Sequence, residues 1–168
     1  SMICYNDSIE KSYQLEPGNN LQYINQWIDK ATFELNKNSS DGIKDINKYL
    51  PDEKSLIFWI SDFHYTPIKI DEILNKLSTH HIIPIFISSE SEIKKMPNYG
   101  FRKFIDSEQD LEHEIFLRPS VKQKILTDYK NMKNIIFNIF SKKQLKQIEI
   151  NEDINLESIQ KYFSGNYI

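Results

Sequence analysis

Leu56-Ile57-Phe58-Trp59-Ile60 is an unbroken apolar run, closed at once by Ser61-Asp62-Phe63-His64. A strand with one wet face alternates apolar and polar residues. A run without alternation predicts instead a strand of a parallel sheet, covered on both faces. Parallel strands need crossovers, and the chain supplies one directly. Thr66-Pro67 reads as a helix start, Thr as the cap and Pro at the first helical position. Ile70, Ile73, Leu74 and Leu77 share the inner face of that helix. A second buried strand follows over Ile82 to Ile87. Pro84 within it cannot donate to a ladder, so it belongs at the strand's beginning or on an under-paired side. A right-handed crossover lays the two strands side by side.

The flanking segments extend this alternation. Ile3-Cys4-Tyr5 and Ile9 to Leu15 enclose the turn cluster Asn6-Asp7-Ser8, which predicts a hairpin stopped by Pro17-Gly18-Asn19-Asn20. Leu21, Ile24, Ile28, Ala31 and Leu35 fall on one helix face; Ile43, Ile46 and Leu50 fall on a shorter helix that ends at Pro51. Phe101 to Ile105 and Glu114 to Leu117 predict a hairpin across the acidic segment Asp106 to Glu112. Ser120 with Gln123 has the spacing of a capping box, before a long helix whose face is Val121, Ile125, Tyr129, Met132, Ile136 and Phe140. Ile148 and Ile150 alternate as a last strand, and Asn155 caps a closing helix bearing Leu156, Ile159 and Phe163. The pattern predicts a single α/β domain over residues 1–168, three-layered, with a mainly parallel sheet and helices on both faces.

Bulk properties narrow the function classes. A net charge of −3 argues against a chain built to neutralise phosphates. The one cysteine, Cys4, excludes an internal disulfide and a Cys-x-x-Cys knuckle, which fits a reducing, cytoplasmic setting. No apolar run reaches the roughly 20 residues that cross a bilayer.

Asp62-x-His64 after a buried strand is how metallophosphoesterases begin a two-metal site, in which the ions activate water and clamp a phosphate. The Gly-Asp, Gly-Asn-His and Gly-His-x-His segments that complete such a site are missing. Asp62 otherwise reads as a carboxylate capping backbone amides at a strand's carboxyl end, where open α/β sheets bind ligands. His80-His81 suits a helix carboxyl end, His113 an acidic edge, and Cys4 a small core position. Asp106, Glu108, Asp110, Glu112 and Glu114 crowd one hairpin, while Lys122, Lys124, Lys130, Lys133, Lys142 and Lys143 load the following helix. They read as solvated faces or as a polarised surface that orients a protein partner. A nucleic-acid groove on that helix would interleave stacking aromatics with the lysines, but Tyr129 and Phe137 are better explained by core packing.

From Leu56 onward the order of features resembles the von Willebrand factor A-like family called domain of unknown function 58. The matching segments are Ile60-Ser61-Asp62-Phe63, His81-Ile82-Ile83-Pro84-Ile85, Ser91-Glu92-Ile93 as an acidic turn, Met96-Pro97-Asn98-Tyr99-Gly100, and Ile148 to Asp153 before a helix ending in Tyr162-Phe163. The resemblance implies a Rossmann-like von Willebrand A fold, here missing its N-terminal strand and the Asp-x-Ser-x-Ser metal motif that strand carries. Asp62 matches a late metal-binding Asp, and Asn19 or Asn20 lies near the place of a metal-binding Thr. Two such groups are too few hard ligands for a strong site, so no metal or other cofactor is expected.

The resemblance further implies a non-catalytic adaptor working with a MoxR-type AAA+ ATPase, with Asp62, Phe63, His64 and Tyr65 as partner-binding candidates and no nucleic-acid partner. The alternative is a metal-dependent phosphohydrolase or nuclease centred on Asp62 and His64. The Leu56 to Ile60 strand is too apolar for an edge. It is expected to have a neighbour on each side: the Ile82 to Ile87 strand, and the N-terminal hairpin of this molecule or of a second copy in a homodimer.

Overall fold

The structure, a computed structural model, describes residues 1–5, 9, 14–15, 18, 20–30, 40–88, 90–106, 111–151 and 154–165. They form two compact units, one of Ser1–Leu50 with Lys103–Glu114, the other of Pro51–Arg102 with Ile115–Ile168.

In the first unit the chain turns back on itself as predicted. Antiparallel bridges join Met2 to Leu15 and Tyr5 to Ile9, with Met2 and Leu15 exchanging both backbone hydrogen bonds at 2.9–3.0 Å. Ile9 and Leu15 are buried. Helix α1, Leu21–Lys30, is opened by Asn20, whose side-chain oxygen accepts from the Tyr23 N–H at 3.1 Å. Ala31 and Leu35, expected on the same face, lie outside the described residues. The short helix over Ser40–Lys48 is a 3₁₀-helix; its buried apolar side chains Ile43 and Ile46 stand three apart, the period of that helix.

The second unit holds the sheet. Strand β1 is Leu56–Ser61, helix α2 is Pro67–Lys76 and strand β2 is His81–Ile87. β1 and β2 pair in parallel from Leu56 opposite His81 to Ser61 opposite Phe86. Thr66 caps α2 by accepting from the Lys69 N–H, with Pro67 next in line, as the sequence indicates. Helix α3, Glu90–Lys95, stands where an acidic turn was expected. Strands β3, Gly100–Asp106, and β4, Leu111–Leu117, form the two-stranded hairpin, with strand running into the acidic segment from both ends; its Lys103–Glu114 part belongs to the first unit. Helix α4, Pro119–Lys142, begins one residue ahead of Ser120. Arg118 holds the cap position without a side-chain bond, so the capping box does not form: Pro119, preset for a first helical position, takes the start instead. Strand β5, Ile148–Ile150, and helix α5, Leu156–Ser164, close the chain, with Asn155 accepting from the Glu157 N–H at 2.9 Å.

Among the described residues the main sheet is three-stranded and parallel, in the order β1-β2-β5. β5 joins β2 only from Ile85 onward, so Pro84 sits where β2 has β1 as its one neighbour. Its missing N–H is tolerated there.

Side chains of opposite parity on a strand point to opposite faces, which sorts the layers. Phe86 meets Phe137 of α4 edge-on at 5.3 Å, and Phe140 lies with Phe137 on the same helix. Ile83, on the other face, packs with Ile148 and with Tyr162 of α5, backed by Ile159 and Phe163. α4 and α5 therefore cover opposite faces of the sheet. The Tyr162 hydroxyl donates to the Lys146 carbonyl at 2.9 Å, and burial raises its pKa above the ordinary phenol value.

Polar ties hold the outer helices. Lys143 reaches Asp71 at 3.1 Å and Asn75 at 2.5 Å on α2. Lys122 donates to the carbonyls of Lys94 and Met96 and to Asn98, closing the carboxyl end of α3. Ser88, the one buried polar residue among those described, shares a 3.1 Å hydrogen bond with the Tyr129 hydroxyl.

One expectation is met on one side only. Among the described residues β1 has β2 as its ladder partner and no strand from the N-terminal segment of this molecule, while pairing with a second copy is left to experiment. An uninterrupted apolar run reads as covered on both sides, yet the cover need not come from the described part of the chain.

Candidate docking surface

The residues after β1 form a tight, self-bonded corner. Ser61 Oγ accepts from the Phe63 N–H at 3.0 Å, Asp62 Oδ1 accepts from the His64 N–H at 3.3 Å, and the Tyr65 N–H donates to the Phe63 carbonyl at 2.7 Å. Phe63 takes φ 55°, a left-handed conformation that is uncommon for a bulky side chain. The reason is its ring. Phe63 is wholly buried, edge-on to Trp59 at 4.7 Å and to Phe140 at 5.1 Å, and stacked on Phe86 at 5.8 Å. Phe63 is therefore a core residue, and its reading as a partner contact is corrected: the loop turns inward to plug the top of the α4 face.

Asp62 and His64 remain at the surface, each side chain about half exposed, with Asp62 Oδ2 3.8 Å from His64 Nδ1. Tyr65 is half-buried, with Lys69 Nζ 5.0 Å from its ring centre. Asp62 does what the plainer expectation assigned it, capping a backbone amide. Among the described residues no group of three or more His, Cys, Asp or Glu gathers where a metal ion could be held. Asn20 is occupied as the cap of α1, and Asn19 lies outside the described residues.

The other histidines and the lysines sort differently from the sequence reading. His80 Nδ1 accepts from the Ser55 N–H at 3.3 Å, which ties the segment after α2 to the start of β1. His81 opens β2, and the side chain of His113 lies outside the described residues, as does most of the acidic segment. Cys4 is half-buried. Of the six lysines read as solvated, Lys122, Lys133 and Lys143 serve as structural ties, Lys143 at the surface; Lys133 pairs with Glu149 and lies against the rings of Phe86 and Phe137. Lys94 hydrogen-bonds Glu90 at 2.9 Å and holds its carboxyl below the usual range, with Lys130 3.7 Å away. The basic stripe is thus broken into local pairs.

What stands out instead is apolar. Leu56, Phe58 and Ile60 share the sheet face of Ile83 and Ile85, the face that α5 covers. α5 lies over the β2 and β5 side and leaves β1 bare. Leu56 is 53% exposed, Phe58 47%, Ile60 55%, and Ile87 of β2 44%. On the opposite face of the same strand Trp59 is buried. The sequence shows all of these as apolar; it carries no mark of which face lacks its cover.

Comparison with family models, with curated proteins and with solved structures finds no match to this chain. The described residues define an α/β protein with a parallel sheet. No described helix is long and apolar enough to cross a membrane.

Proposed function

We propose that this chain is a non-catalytic protein-interaction domain of von Willebrand factor A-like kind, a cytoplasmic adaptor that docks a MoxR-type AAA+ ATPase on the bare face of β1. The observation that carries the reading is the contiguous strip of Leu56, Phe58, Ile60 and Ile87 at the uncovered side of the sheet. Soluble proteins seldom leave a continuous apolar patch of this kind without a use for it. Asp62 and His64 stand at the end of the same strand as polar neighbours of the patch, a common arrangement at the rim of an interface. The class of partner follows from the resemblance in the sequence.

The reading has a direct test. The protein is titrated against a MoxR-type AAA+ ATPase from the same genome, alongside Phe58→Asp and Ile60→Asp variants. Both side chains are already half in water, so the variants should stay folded. Loss of two central apolar anchors is expected to weaken binding about thirtyfold or more. A folded parent that does not bind, or variants that bind as well as the parent, would sink the proposal.

The non-catalytic part is tested separately. The unfolding midpoint is expected to be the same with magnesium, with manganese or with EDTA. An ion bound only by the folded state would add about 2.7 kcal/mol at a hundredfold excess over its dissociation constant. A manganese-dependent rise that disappears in Asp62→Ala, joined to phosphodiester hydrolysis lost in the same variant, would favour the phosphohydrolase instead.

A further inference from the structure

The bare face of β1 is one surface; its outer edge is another. β1 is six residues, Leu56–Ser61, with no Pro and no charged side chain, and among the described residues the sheet continues on one side of it only. Charges, prolines and bulges are the devices that keep edge strands from pairing, and this strand carries no charge and no Pro. We infer that the edge of β1 pairs antiparallel with β1 of a second copy, about a two-fold axis at Phe58, to give a continuous six-stranded sheet. The inference rests on the reading of β1 as the interacting side of the domain.

Charge at the two ends of the strand selects this register. With Phe58 opposite the partner's Phe58, Leu56 faces the partner's Ile60, and Lys54, two residues before the strand, comes beside the partner's Asp62, the first residue after it, once at each end. Both Lys54 and Asp62 are exposed. Glu53 is the acidic neighbour opposing this pairing, and it lies in the bend before the extended run. Directly opposed unlike charges and aromatic pairs are what stabilise one antiparallel register over others. In a strand, alternate residues point their backbone groups to the same side, and a register centred on Phe58 opposes residues of the same set whichever set faces outward. The paired edge is small beside the roughly 800 Å² per partner of a stable interface, so the dimer is weak and concentration-dependent. Its faces join, and the two bare strips lie side by side as one platform of twice the width.

Sedimentation equilibrium of the parent from micromolar to near-millimolar concentration should show a monomer–dimer equilibrium. Lys54→Glu alone, and Asp62→Lys alone, place like charges opposite each other at both ends, and each should dissociate about tenfold more readily. An equimolar mixture of the two variants restores unlike charges at both ends and should associate more tightly than either alone. A parent that stays monomeric, or a mixture no tighter than its components, overturns the inference. ATPase binding by the monomeric Lys54→Glu variant is read separately: if it persists while dimerisation is absent in every sample, the edge pairing fails and the docking face stands.

Discussion

Phe63→Ala is expected to lower the stability of the sheet-bearing unit by about 3–5 kcal/mol, the usual cost of emptying an aromatic site in a core. That is a large share of the roughly 5–15 kcal/mol that holds a typical domain. The ring touches Trp59 of β1, Phe86 of β2 and Phe140 of α4, so its loss loosens three elements at once. The backbone offers a sharper signature. Alanine in a helix or strand is normally better than glycine, but at φ 55° the left-handed conformation costs a non-glycine residue about 1–2 kcal/mol. Phe63→Gly should therefore be less destabilised than Phe63→Ala, reversing the usual order. Urea unfolding followed by tryptophan fluorescence checks both. An alanine variant within experimental error of the parent would mean that Phe63 is not the plug of this core.

Lys133→Ala should be nearly as damaging. The side chains of Lys133 and Glu149 are only 16% and 28% exposed, and the ammonium lies 5.4 Å from the Phe137 ring centre and 5.9 Å from that of Phe86. Removing the cation leaves Glu149 largely out of water without its partner. For fully buried pairs that loss runs to about 3–5 kcal/mol, and the partial exposure here brings the expectation to about 2–3 kcal/mol. Replacing both residues together, Lys133→Met with Glu149→Leu, should recover most of it, because an apolar pair asks for no desolvation. A double-mutant cycle by chemical denaturation measures the coupling. A single variant as stable as the parent would show that the pair is ornamental.

The β1-α2-β2 unit was readable in the sequence because each signal there is local. The apolar run ends in a polar corner, Thr66-Pro67 marks a helix start by its own chemistry, and the helix has the length to bring the second strand alongside. The return of the N-terminal segment and the Asn155 cap were readable for the same reason. Phe63 was not. In sequence it is one residue of an exposed-looking corner, and the positive φ that turns it inward has no mark in the residue type. Its one clue was size: a phenyl ring between two polar residues has more to gain in a core than in water. Lys133 did carry a legible signal that charge alone concealed. It stands four residues after Tyr129 and three before Ile136, on the buried stripe of α4 rather than the wet one. The bare side of β1 could not be read at all, because apolar residues look the same whether the chain or another molecule covers them.

The clamp that Lys122 makes on the end of α3 bears on how this protein can change. Lys122, in the first turns of α4, holds the carbonyls of Lys94 and Met96, so two points of the second unit that β3 and β4 separate in sequence are fixed to each other. Lengthening a loop whose ends are already fixed adds only about 0.6 kcal/mol per doubling of its length. A lineage, or an engineer, can therefore lengthen the chain between these points at small cost in chain entropy; what is inserted answers instead to the first unit, to which Lys103–Glu114 belong.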